Sequence, residues 1–166
     1  MPKYKLSLDD LESPIQQGFG VFTTLGPLKF CAEINQLLAP ITFTRFKEDL
    51  IEDYKGNRFF YAVYAYEDPL REIDWRLVFN RSYRSETSGQ QGIDLFSGEA
   101  QAEKNWLNNK DGYNFFLWFE GENQSVSFLH EVKGKLMGEK KLGVFKELSD
   151  TELNKLTKSQ KYYHGL

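Results

Sequence analysis

The chain has 166 residues, 40% hydrophobic and 27% charged, with a net charge of -3 and a single cysteine. That is the size and balance of one soluble domain, and it excludes disulfide-rich, collagen-like and strongly basic nucleic-acid-binding classes. No apolar run approaches the ~20 residues of a membrane span, and Met1 to Lys5 leads into acidic sequence rather than an apolar leader, so a cytoplasmic protein is expected.

Gly18 to Thr24 is aromatic and β-branched and stops at Gly26-Pro27, which predicts a strand over 19–24. Pro27 then opens a helix over 27–39, because Phe30, Ile34, Leu37 and Leu38 fall on one face. Beyond Pro40 the apolar spacing drops to two at Ile41, Phe43 and Arg45, as in a half-buried strand, with a loop near Asp53. Arg58 to Tyr66 reads as one long strand with both faces apolar. Glu67-Asp68-Pro69 turns it into an antiparallel return over Ile73 to Phe79.

A long excursion follows at 81–112. Its first part, 82–92, has loop composition, and a short helix is expected near 99–107. Tyr113 to Phe119 is the next strand, Val126 to Met137 a second helix closed by Gly138, and Leu142 to Leu148 a last strand. Ser149 with Glu152 three residues later is a capping-box pattern that starts a short helix. The predicted fold is a single α+β domain over 1–166. It is a two-layer sandwich, ferredoxin-like in character, with about six mostly antiparallel strands and two main helices on one face.

Several strings, in order, are similar to an uncharacterised bacterial family that takes its name from an Ile-Pro-Glu-x-x-x-Val-Asp-Tyr motif (IPExxxVDY). They are Phe19 to Thr24 with Leu28 to Leu38, Phe43 to Leu50, Tyr64 to Asp68, Trp75 to Asn80, Phe116 to Gly121 and Leu153 to Leu166. The name-giving motif falls on Leu107 to Phe115, where Pro and Glu are absent at 108 and 109 and Asn114 and Phe115 replace the Asp and Tyr. The resemblance implies a fold and no activity, and no role of the motif acids carries over.

No catalytic motif is found. His130 and His164 lack neighbours at metal-ligand spacing, and Cys31 lies in the apolar stripe of its helix, where a thiol acts as a small hydrophobe. Gly18-x-Gly20 precedes a strand instead of opening a helix, unlike a phosphate loop. The acidic pairs Asp9-Asp10, Glu48-Asp49, Glu52-Asp53 and Glu67-Asp68 suit turns and strand ends better than a cation site, so no metal or cofactor is expected. From Glu131 to Leu166 eight lysines face five acids, too weak an excess to favour nucleic acid.

Strand parity carries the functional expectation. If Phe59, Tyr61, Val63, Phe115, Leu117 and Phe119 face the helices, then Phe60, Tyr64, Phe116 and Trp118, with Tyr66 at the rim, occupy the opposite face. Left uncovered, those aromatics predict a protein-interaction or homodimer surface; covered by the excursion, they form a second core. The alternative function is a small-molecule-binding domain or enzyme with a pocket between sheet and excursion, lined by Trp106, Tyr83 and Trp118.

Overall fold

The structure is a computed structural model that describes residues 17–87, 103–108, 111–121, 126–160 and 162–163. In chain order the elements are β1 (Gln17–Phe22), α1 (Pro27–Leu37), β2 (Thr44–Arg45), β3 (Asp49–Tyr54), β4 (Asn57–Tyr61), β5 (Val63–Asp68), β6 (Ile73–Phe79), β7 (Arg84–Thr87), β8 (Phe115–Gly121), α2 (Val126–Gly138), β9 (Val144–Glu147), α3 (Asp150–Ser159) and β10 (Tyr162–Tyr163). Six strands form one sheet in the order β2-β5-β6-β8-β1-β9, and four form another in the order β10-β3-β4-β7. Every neighbouring pair is antiparallel.

The first core lies between the six-stranded sheet and α1 and α2. Phe30, Cys31, Ile34 and Leu38 come from the α1 segment and Val132 and Leu136 from α2, and they pack on Phe19, Val21, Trp75, Leu77, Phe115, Leu117 and Phe119. Phe30 stacks on Phe115 with ring centroids 4.5 Å apart. Asn35 supplies what a missing strand neighbour would: its Oδ1 accepts from the Phe43 N–H at 2.7 Å and its Nδ2 donates to the Phe43 carbonyl at 3.0 Å. This clamp explains why the strand expected over Ile41 to Phe46 shortens to two residues. Its start is satisfied by a side chain rather than a ladder.

A second core occupies the other face of that sheet, so the two-layer arrangement expected from the sequence is incomplete. Leu50, Phe59 and Tyr61 of the smaller sheet, Leu153 and Leu156 of α3, Leu148 and Trp106 pack on Val63, Val78, Phe116 and Trp118. The predicted strand 58–66 is two strands joined at Ala62. β4 pairs with β3 and β7 in the smaller sheet, while β5 pairs with β2 and β6 in the larger one. Both faces of that run are apolar because it crosses between two cores.

Parity holds for β8 and reverses for β5. Register aligns Tyr64 with Leu77 and Leu77 with Leu117, so Tyr64 belongs to the row facing α1 and α2. The next row, Val63, Val78 and Phe116, faces the second core. The loop expected near Asp53 is instead the β3–β4 hairpin, with Lys55 and Gly56 at positive φ in its turn. Arg84–Thr87, expected as loop, is an edge strand on β4. Residues 103–108 carry a bridge at Asn105 in place of the short helix expected there, and the rest of that helix lies outside the described residues. The remaining elements fall within a few residues of expectation, and the capping box forms: Glu152 Oε2 accepts from the Ser149 N–H at 2.8 Å.

Candidate functional site

The aromatics expected to meet a partner lie inside the chain. Phe60, Tyr64, Phe116 and Trp118 are buried and Tyr66 is partly buried. They also share no common face, since Tyr64 and Tyr66 join the first core and Phe116 and Trp118 the second. The ring of Phe60 sits under the Arg84 guanidinium at 3.9 Å. The surface anticipated from the sequence is therefore corrected: Trp106, 6.0 Å from the Trp118 ring by centroids, is part of the cover that turns this face into core. The same burial removes the stacking platform a sheet-based RNA binder needs.

The other candidates settle into structural roles. Cys31 is buried, its Sγ donates to the Phe43 carbonyl at 3.5 Å, and burial pushes its thiol pKa up, away from the reactive thiolate. His130 is exposed on α2, and His164 and Asp9-Asp10 lie outside the described residues. Asp49 is held by Arg45 and Tyr83, and Glu52 accepts from Tyr61 Oη at 3.0 Å and Lys104 Nζ at 2.6 Å. Asp53 pairs with Arg58 at 2.9 Å. Among the described residues no three His, Cys, Asp or Glu side chains converge as a metal site requires, and no helix is long and apolar enough to cross a membrane.

A cavity of about 380 Å³ opens where β8, α3 and the end of the excursion meet, lined by Leu107, Asn108, Asp111, Tyr113, Phe116, Leu148, Glu152, Lys155 and Leu156. The pocket expected between sheet and excursion was to be lined by Trp106, Tyr83 and Trp118, and none of the three lines this cavity. Trp106 and Trp118 are core, and Tyr83, half exposed, is tied to Asp49.

Glycines make room for the walls. On β1, a Cβ at Gly20 would stand 2.5 Å from the Tyr113 ring, and one at Gly18 would stand 3.1 Å from Leu153 Cδ2. The pair dismissed as a phosphate loop is thus a bare patch on which Tyr113 and α3 rest. Asn80, 2% exposed, fastens the other wall. Its Nδ2 donates to the carbonyls of Leu107 at 3.0 Å and Tyr113 at 3.1 Å, and its Oδ1 accepts from the Leu107 N–H at 2.9 Å.

Tyr113 Oη donates to Asp111 Oδ2 at 3.0 Å, and Lys146 Nζ donates to the same oxygen at 3.1 Å. The Lys146 hydrogen bond, then that of Tyr113, holds the Asp111 carboxyl below its usual range, and Asp111 in turn raises Lys146. Burial, then the Asp111 hydrogen bond, pushes the Tyr113 phenol up, so at neutral pH it keeps its proton and serves as a donor. A second cavity of about 530 Å³, lined by Asn80, Arg81, Glu103, Asn105 and Asn114 among others, shares Asn108 and Tyr113 with the first.

Sequence reasoning missed Asp111 and Lys155 as neighbours of one cavity, and Lys146 as the partner of Asp111. Only Gly18-x-Gly20, two glycines on the same face of a strand, signalled a close approach. Comparison of the chain with family models, with curated proteins and with solved structures finds no match.

Proposed function

We propose that the protein is a non-catalytic binding domain that holds an amphipathic small molecule in the cavity between β8, α3 and residues Leu107, Asn108, Asp111 and Tyr113. The observation that carries this reading is the cavity's division: an apolar floor of Phe116, Leu148 and Leu156 beneath a rim of Asn108, Asp111, Glu152 and Lys155. Small-molecule sites combine such a floor with a few orienting polar groups. At ~30 Å³ per water-sized unit, the volume suits about a dozen non-hydrogen atoms.

The test is a titration of isotopically labelled full-length protein with 2-naphthamide, a neutral amphipathic probe of suitable size, followed by backbone amide NMR. The expected result is saturable shifts at 107–116, 148 and 152–156. No saturable shift with this probe or with its acid counterpart 2-naphthoate, or shifts centred on α1, would overturn the reading.

A further inference from the structure

The rim charges are unequally engaged, and that inequality says what the ligand carries. Asp111 is occupied by Lys146 and Tyr113. Glu152 accepts from the Ser149 N–H at 2.8 Å and Oγ at 3.1 Å in the first turn of α3, where the helix dipole also favours a carboxylate. Both acids are therefore committed to holding the fold. Lys155 lines the same cavity and, among the described residues, makes no ion pair. A cationic ligand would have to compete for carboxylates already bound, whereas an anionic one meets an available ammonium beside an apolar floor.

We infer that the cavity takes a carboxylate-bearing ligand, an aromatic or aliphatic acid whose body lies on Phe116, Leu148 and Leu156 and whose carboxylate meets Lys155 Nζ. Asn108, exposed on the rim, is placed to offer an amide N–H to the same group. The inference rests on the binding reading above and adds the sign of the ligand's charge.

The experiment compares 2-naphthoate with 2-naphthamide, matched in shape and differing in charge, on full-length protein and on Lys155→Met. Lys155 is exposed, so the variant is expected to fold, and its amide spectrum checks this. The acid should bind about fivefold tighter than the amide, the worth of one partly screened ion pair. That advantage should vanish in Lys155→Met and shrink with added salt. Equal binding of the two probes to the native chain, or a preference that survives Lys155→Met, overturns the inference and leaves the cavity reading standing. Binding of neither probe overturns both.

Discussion

Asp68 closes β5 at 3% exposure, and everything around it is arranged to keep it charged. Its Oδ1 accepts from the N–H groups of Leu70 and Arg71, each at 3.1 Å, and its Oδ2 from Arg71 Nη1 at 2.8 Å. Burial pushes this carboxyl up, but the Arg71 guanidinium and the two N–H groups outweigh it and hold the carboxyl below its ordinary range. A folded-state value below the unfolded one adds stability that is present above about pH 4 and is lost as pH falls through the folded value. Urea unfolding at pH 7 and pH 3 should therefore show a larger acid-induced loss in the native protein than in Asp68→Asn. Equal losses would mean the turn does not favour the charge. The Glu67-Asp68-Pro69 turn was legible because its chemistry is local, as was the Ser149 and Glu152 box. The Asp111, Tyr113 and Lys146 cluster was not, because Lys146 reaches Asp111 across 35 residues of chain.

At the scale of elements, periodicity located α1, α2, β6 and β8 but could not show where a strand changes sheets. Nothing in the side chains around Ala62 marks a corner; the break is set by which strands lie alongside. β3 escaped detection because Glu52 points inward, which is tolerable only with Tyr61 and Lys104 as partners from other parts of the chain. β1 shows the opposite case, in which a local oddity had a distant cause. Gly20 lies under the Tyr113 ring, so Gly20→Ala must displace that ring and should cost about 1–3 kcal/mol, as overpacking of a filled core does. At Gly18 an added Cβ would stand 3.1 Å from Leu153 Cδ2 and 3.2 Å from the Leu117 carbonyl oxygen and Trp118 Cβ, less close than at Gly20, so Gly18→Ala should cost less. Denaturation midpoints of both variants check the order, and a Gly20→Ala protein as stable as the native chain would show that Tyr113 yields freely.

Over the whole molecule, the two cores share one sheet, and Asn80 pins Trp106, Leu107 and Tyr113 to it from between two walls. Its backbone N–H donates to the Asn114 carbonyl at 2.7 Å, and its carbonyl accepts from the Trp106 N–H at 2.9 Å. Removing the amide in Asn80→Ala leaves the half-buried Leu107 groups and the buried Tyr113 carbonyl short of partners, at a cost of about 3 kcal/mol. Hydrogen exchange should then quicken at Leu107 before it quickens in β6 and β8, and the cavity should lose probe binding. Uniform acceleration across both regions would show that these residues are not held separately. The α+β class and the helical cover of one face were legible in the sequence. The second core was not, because it gathers Leu50, Trp106 and Leu156 from widely separated segments, and no window of the chain contains that meeting.

The corner at Ala62 has a consequence for any attempt to dissect the protein. A cut there would part β1 from β8 and β9, β2 from β5, β3 from β10 and β4 from β7, leaving two fragments each with a raw apolar flank. The chain is a knot of mutual dependence in which neither half is a smaller protein.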